Sequence, residues 1–446
     1  MREIPLALQT TYAELIDRAA TAAFEDAFAE DGAFITKKIR GRRYWYFQVN
    51  TETGRRQRYV GPEQPELLDR IKQHKQAKDD QQVRRALVAT LVRSAHLPRP
   101  LSEIGDILAS LSQAGVFRLR GVLVGTVAYQ TYSAMLGTQL PAASVMTEDV
   151  DIAQFGAISI AVKDHTSPIL DTLKHADPSF REVPNLHPGQ ATTYQTSKGI
   201  RVDFLTPNIG PDTDVPAALP AFGTHAQQLR FLDFLIHDPE PAVILHGVGV
   251  YVLVPAPQRY ALHKLIVSRR RQEGAAKRDK DILQAQALLE ILAHKRSYEL
   301  KSAWAEAFSR GKRWRQYLGE GLGQVTPETR DLTLKAVGAT RSVIPNFDLK
   351  FEASAARYIF DRRVITFLGK AGDKPVRCAV SRSFLEDYFK ATKLSNDDCL
   401  RKFRDEREIF EKMVRAKYLE WPIDDLGETL LKVSELSKLR KKAARR

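Results

Sequence analysis

Three carboxylates and one glycine turn carry the chemical content of this chain. Asp149 and Asp151 stand two apart in the run Thr147-Glu148-Asp149-Val150-Asp151-Ile152-Ala153. In a β-strand that spacing sends both acids out of one face, while Val150 and Ile152 point the other way into a core. A third acid, Asp203, interrupts a second apolar run, Ile200-Arg201-Val202-Asp203-Phe204-Leu205. Upstream of all three, Val122-Leu123-Val124 runs into Gly125-Thr126.

Like charges on one face repel unless a cation lies between them. Mg²⁺ takes oxygen ligands in an octahedron and retains waters and phosphate oxygens among them. Two such ions roughly 3.5–4 Å apart can stabilise both the attacking and the leaving oxygen of a phosphoryl transfer. The expected cofactor is therefore a pair of Mg²⁺ ions, or Mn²⁺ in their place, held by Asp149, Asp151 and Asp203. Asp203 would bind the ion nearer the acceptor and take the proton from its hydroxyl. Gly125 lets the backbone approach a triphosphate, and Thr126 with the first amides of the following helix can donate to its oxygens. The substrate this chemistry calls for is an NTP.

A D-x-D pair alone is weak support, since it occurs three times here: Asp149/Asp151, Asp212/Asp214 and Asp279/Asp281. Context separates them. Asp212/Asp214 lies among Pro207, Gly210, Pro211 and Pro216, a loop composition. Asp279/Asp281 opens a charged helical pattern. Only Asp149/Asp151 sits in an apolar strand between a strand–Gly–Thr–helix unit and another strand with an internal acid. An exposed edge-strand acid accounts for Asp149 but not for Asp151 between Val150 and Ile152.

The elements that must position these residues read as α+β with four parts. Residues 1–91 predict an alanine-rich helix, Tyr12 to Glu30, and three short strands turning at Gly41 and Thr53-Gly54. A long polar helix from Leu67 to Leu91 follows. The strands interleave Lys37, Lys38, Arg40, Arg42, Arg43, Arg55, Arg56 and Arg58 with Tyr44, Trp45, Tyr46 and Tyr59. Cations beside aromatic faces suit single-stranded nucleic acid, but a three-stranded sheet also needs aromatic packing to be stable, and that reading is favoured. Residues 92–255 form the core. They predict a helix from Leu101 to Ala114 capped by Ser102, and strands at Arg118–Val124, Thr147–Gln154 and Ile158–Val162. Hairpins are expected around Ser197-Lys198-Gly199 and His246-Gly247, so several pairs are antiparallel and a doubly wound sheet is excluded. Residues 256–340 are helical and are expected to cover the cleft, with the helical pattern running over Asp279–His294, Tyr298–Leu318 and Pro327–Val337. Residues 347–446 return to strands around a Gly372-Asp373 turn, then two helices, then a basic tail from Lys438 to Arg446.

Composition limits the classes. With 446 residues and a 43% apolar fraction, the chain is globular rather than disordered. Two cysteines, Cys378 and Cys399, make neither a disulfide framework nor a four-cysteine zinc site, and they fit a reducing cytosol, hence a cytoplasmic expectation. No apolar run spans a bilayer and the N-terminus carries no secretory pattern, so a membrane partner is not expected. No H-x-x-x-H or G-x-S-x-G spacing supports zinc or a hydrolase triad. The net charge of +14 and pI of about 9.6 suit a polyanionic partner.

Gly125-Thr126, Asp149-x-Asp151 and Asp203 resemble the polymerase-β-like nucleotidyltransferase superfamily, and in particular a small bacterial group of nucleotidyltransferase-fold proteins. The likeness covers roughly 100–295. It includes Leu123-Val124-Gly125-Thr126-x-Ala128-Tyr129, Arg201-Val202-Asp203-Phe204-Leu205-Thr206-Pro207, Tyr260-Ala261-x-His263-Lys264-Leu265 and Lys277-x-x-Lys280-Asp281-x-x-Gln284-Ala285. It implies metal-dependent transfer of a nucleoside monophosphate from an NTP to a hydroxyl of RNA such as tRNA, a protein or a small molecule. Lys264 would reach the triphosphate; otherwise it is one more solvated cation. Thr126 stands where serine is usual, and 137–146 lengthens the connection to the acid strand. The last segment resembles a small bacterial domain of unknown function through Val376-Arg377-Cys378-Ala379-Val380-Ser381 and Phe403-x-x-Glu406-Arg407-x-Ile409-Phe410. Cys378, between apolar neighbours, reads as a core residue rather than a nucleophile. The alternative to an active enzyme is a catalytically silent nucleotidyltransferase fold serving as a nucleic-acid or toxin–antitoxin partner module.

Overall fold

The computed structural model describes residues 2–27, 33–39, 42–51, 54–73, 81–141, 149–270, 275–344, 349–351, 355–371, 374–420 and 428–431. The Gly41 and Gly372-Asp373 turns, residues 142–148 and the 438–446 tail lie outside them. The architecture is α+β, with two compact units: Met1–Lys264 with Glu273–Arg296, and Leu265–Gln272 with Ser297–Arg446.

In the first unit the helix Leu6–Ala27 precedes β1 (Ala33–Ile39), β2 (Arg42–Thr51) and β3 (Gly54–Pro62), an antiparallel sheet in the order β1-β2-β3. Tyr46, Phe47 and Tyr59 are buried. Tyr46 and Phe47 alternate along β2, so both faces of the sheet are covered, and these rings are packing residues. A buried seam fastens the sheet: Tyr59 N donates to Asp164 Oδ2 at 2.9 Å, and Arg118 Nη1 donates to the same oxygen at 2.6 Å and to Tyr59 O. The Tyr12 hydroxyl accepts from Val243 N and donates to Val243 O, so the first helix is tied to a strand of the core. Of the helix expected over Leu67–Leu91, the described residues hold two segments, Pro65–Gln73 and Gln81–Ser94; residues 74–80 lie outside them.

The core sheet comprises β4 (Val122–Val124), β5 (Asp149–Ala153), β6 (Arg181–Glu182), β7 (Thr193–Gln195), β8 (Arg201–Pro207), β9 (Ala217–Leu219) and β10 (Thr224–Leu229). Its order is β4-β5-β8-β10-β9, with β6 and β7 beside β8. β5 runs parallel to β8, and β8 to β10; β4 is antiparallel to β5. Val150, Ile152, Val202 and Phe204 are all fully buried on one face. A hairpin, β11 (Glu240–Ile244) with β12 (Val250–Val254), follows, then the helices Pro257–Arg270 and Ala275–Lys295.

Three local expectations are corrected. Ile158–Val162 is part of a helix, Gly156–Ala161, not a strand. Phe155 O accepts from both Ile158 N and Ser159 N, which closes a helical turn. Ile160 is 68% exposed while Val162 is buried, although a strand would put both on one face. The strand expected from Arg118 is only Val122–Val124, because Gly121 N folds back to Val116 O and Arg120 takes a φ of 69°. Finally, Leu101 rather than Ser102 occupies the N-cap of Ser102–Gln113, and its side chain makes no cap bond.

In the second unit Tyr298–Leu318 is two helices, Ser297–Ser309 and Lys312–Leu322, broken at Gly311, whose φ of 124° only glycine adopts readily. The next helix, Pro327–Val337, is punctuated by the sequence itself: Thr326 caps Thr329 N, Pro327 opens it and Gly338 closes it in the left-handed region. The strands β13 (Leu349–Phe351), β14 (Arg357–Ile359), β15 (Val364–Ala371), β16 (Lys374–Ser381) and β17 (Glu428–Leu431) form a sheet backed by Arg382–Tyr388, Asn396–Asp405 and Arg407–Glu420. Cys378 and Cys399 lie in its core with Phe384, Phe403 and Phe410. No helix among the described residues is long and apolar enough to cross a membrane.

Candidate active site

The register of the core sheet decides where the acids go. Asp151 is directly opposite Asp203 across the parallel pair β5–β8, and Asp149 is opposite Arg201. Register partners on neighbouring strands share a face, about 4.8 Å apart. All three carboxylates therefore leave the face opposite Val150, Ile152, Val202 and Phe204, and all three are part-exposed. The burial cost of a charge is avoided because the acid face stays partly open to water.

The glycine turn meets this face from the other side. Val124 pairs with Asp151 across β4–β5, and Gly125 follows with a φ of 71°. A β-carbon on Gly125 would lie 2.1 Å from Asp151 Oδ2, so this carboxylate fills the space that the missing side chain leaves. Gly125 and Thr126 begin the helix Gly125–Met135, whose N-cap, Val124, gives no side-chain bond. Its first-turn amides must find other partners, which suits them to an anion.

Asp203 accepts a hydrogen bond from Thr193 Oγ1 and has Arg201 Nη2 at 3.5 Å. Asp149 and Asp151 also have interactions within the protein. Among the described residues no three His, Cys, Asp or Glu side chains form a ready metal-holding cluster. The donor set itself fits a hard cation, since it is oxygen-only and three acids share one face.

Lys264 is almost fully buried, and its Nζ lies 2.5 Å from Asp281 Oδ1 and 5.3 Å from the centre of the Tyr260 ring. It is not a solvated surface cation. Lys280 is held below its usual pKa by burial and by Lys264, with Asp281 and Asp149 acting in the opposite direction. Lys280 thus feels Lys264, Lys277, Asp281 and Asp149.

Two residues escaped the sequence reading as site components. The Tyr260 hydroxyl lies 2.9 Å from the Gly125 carbonyl oxygen and 2.9 Å from the side-chain amide of Gln284. It has one proton to give and two acceptors within reach, Gly125 O and Gln284 Oε1. Tyr260 is buried and its pKa is pushed well above 10 by that burial, with Tyr132, Asp281, Tyr129 and Asp151 adding to the effect. It holds the turn in place as a neutral phenol. The signal was present in the sequence, since Tyr260 is three to four residues before His263 and Lys264, one helical turn. What no spacing reveals is that this turn meets Gly125, 135 positions away.

Comparison with known proteins bears on the same residues. Residues 102–309 match the sequence model of a family described as nucleotidyltransferase. Residues 349–431 match that of a family described as a protein of unknown function. Curated proteins give no match. Among solved structures, an antigenic nucleotidyltransferase-like protein from Paracoccidioides brasiliensis is similar at 15% identity, over 48% of this chain and 91% of its own, with a TM-score of 0.24. The stretch 102–309, which holds the glycine turn, the three carboxylates and Lys264, is thus similar to nucleotidyltransferases, and this likeness supports a transferase.

Proposed function

We propose that the protein transfers a nucleoside monophosphate from an NTP to an acceptor hydroxyl and releases pyrophosphate. The observation that carries this reading is the register: Asp151 opposite Asp203, Asp149 on the same face, and Gly125 packed on Asp151. Asp149, Asp151 and Asp203 would hold Mg²⁺ or Mn²⁺, which supplies positive charge at the phosphate and acidifies the acceptor hydroxyl. The Asp203 carboxylate, whose Oδ1 accepts a hydrogen bond from the Thr193 hydroxyl, would receive the acceptor's proton. The acceptor oxygen bonds to the α-phosphorus as the bond to the β-phosphate oxygen breaks. Gly125 and Thr126 present backbone and hydroxyl donors to the triphosphate. Lys264 lends positive charge from a position fixed by Asp281 rather than by a direct reach.

RNA is the acceptor the surface favours. Lys38, Arg42, Arg43, Arg55 and Arg56 are exposed on the N-terminal sheet, while Tyr46, Phe47 and Tyr59 are buried. Contact would be to phosphates rather than by stacking, so binding should fall steeply with salt.

A second reading, a binding module without catalysis, is favoured by one observation: Asp203 is engaged by Thr193 and Arg201 although it shares a face with the other acids. Incubation with Mg²⁺, each labelled NTP and cellular RNA or lysate separates the two. Label transfer that disappears in Asp149→Ala and Asp151→Ala supports the enzyme. Absence of transfer to every acceptor, with RNA or protein binding unchanged in both variants, supports the module.

A further inference from the structure

A cavity of about 410 Å³ lies in the first unit, away from the acid face, and none of Gly125, Asp149, Asp151, Asp203 or Lys264 lines it. Its walls come from the first helix, the end of β3, the helices Pro65–Gln73 and Gln81–Ser94, the helix Ser102–Gln113 and β12. That volume is within the usual range for small-molecule sites, roughly 300–1,000 Å³.

The lining has two chemistries. One wall is smooth and apolar: Ala19, Ala20, Ala23 and Phe24 on successive turns of the first helix. The other is cationic. Arg118 is committed to Asp164, but Arg70, Arg84 and Arg120 are present as well, and among the described lining residues Glu66 is the one acid. Arg70 and Arg120 line the same cavity as Tyr251, whose hydroxyl is buried.

Arg120 is presented there by a strained backbone. Its φ of 69° is one that residues with a β-carbon seldom adopt. Leu119 before it is fully buried, and Gly121 after it has no room for a side chain, since a β-carbon would lie 2.7 Å from Val116 Cγ1. Strain kept in place by rigid neighbours is found where a side chain must be delivered to a fixed point.

We infer that this cavity is a second site, for a nucleoside monophosphate. Its phosphate would be taken by Arg70 and Arg120, the planar forks that match phosphate geometry, and its flat base would lie on the alanine and Phe24 wall. Gln113, an exposed lining residue, offers a paired donor and acceptor to a heterocycle edge. The inference does not depend on catalysis at the acid face.

The test is equilibrium dialysis of the full chain with radiolabelled AMP in EDTA, which silences metal-dependent binding at the acid face. One saturable site is expected, unchanged in Asp149→Ala and Asp151→Ala. It should weaken at least tenfold in Arg70→Gln and in Arg120→Asn, the latter chosen because asparagine tolerates the left-handed backbone. Ala23→Phe should block it by filling the apolar wall. No saturable AMP binding overturns the proposal, as does binding lost in Asp151→Ala but intact in the arginine variants. Inorganic phosphate competing as well as unlabelled AMP would remove the nucleoside from the assignment and overturn it in that form.

Discussion

Replacing Gly125 by alanine separates the two demands made on the glycine turn. The first is conformational: with φ at 71°, any β-carbon-bearing residue is strained by roughly 1–2 kcal/mol. The second is steric: the new methyl would lie 2.1 Å from Asp151 Oδ2, so that carboxylate must leave its place. Displacing a part-buried carboxylate from its interactions costs about 1–3 kcal/mol more. Gly247 is the control, with φ 58° and nothing within 4 Å of a built β-carbon. Gly247→Ala should therefore cost only the conformational part, about 1–2 kcal/mol, and Gly125→Ala about 2–5 kcal/mol. Native-state hydrogen exchange at the slowest amides of β4 and β5 reads both. In an Asp151→Ala background the excess at Gly125 should vanish, because the colliding oxygen is gone. Equal costs at the two glycines, or an excess that survives removal of Asp151, would refute the argument. Label transfer should fall in Gly125→Ala and persist in Gly247→Ala.

Asp164→Ala leaves the buried Arg118 guanidinium uncompensated and removes the acceptor of Tyr59 N, so it should cost about 3–5 kcal/mol and expose the N-terminal sheet to limited proteolysis. Asp281→Ala strands Lys264 in the same way, with a loss of similar size; Lys264→Met with Asp281→Leu should recover most of it in thermal unfolding. Tyr59 has its pKa pushed up to about 12, chiefly by burial. Its raised folded value means that its contribution is complete below pH 10 and is lost as pH rises towards 12, about 2–3 kcal/mol in all. Tyr59→Phe should flatten that part of the alkaline stability profile, and spectrophotometric titration should lose its late phenolic step. RNA binding by the charge-reversed pair Arg43→Glu and Arg56→Glu should weaken and show a shallower salt dependence than wild type in filter binding.

How much of this was legible in the sequence varies by element. Period-two alternation placed Asp149 and Asp151 on one strand face, because side-chain direction in a strand depends on nothing beyond the strand itself. The hairpins at Gly199 and Gly247 and the helix Pro327–Val337 were equally local, written in turn and cap residues. Ile158–Val162 failed for the opposite reason: a short apolar run fits a strand or a helix turn, and only the surroundings of Ile160 and Val162 decide. Arg118–Val124 failed because the fold-back onto Val116 O is made by backbone atoms that carry no residue code.

The sequence by itself determined that the chain has an acid strand, a glycine turn before a helix, and a third acid in another apolar run. It could not say that Asp203 stands opposite Asp151, since register across a parallel pair is set by packing between segments about fifty residues apart. Nor could it say that Tyr260 bonds Gly125, that Lys264 is clamped by Asp281, or that Arg70, Arg120 and Tyr251 line one cavity. Those are encounters between distant parts of the chain. They exist only once burial of the apolar faces has fixed which surfaces touch.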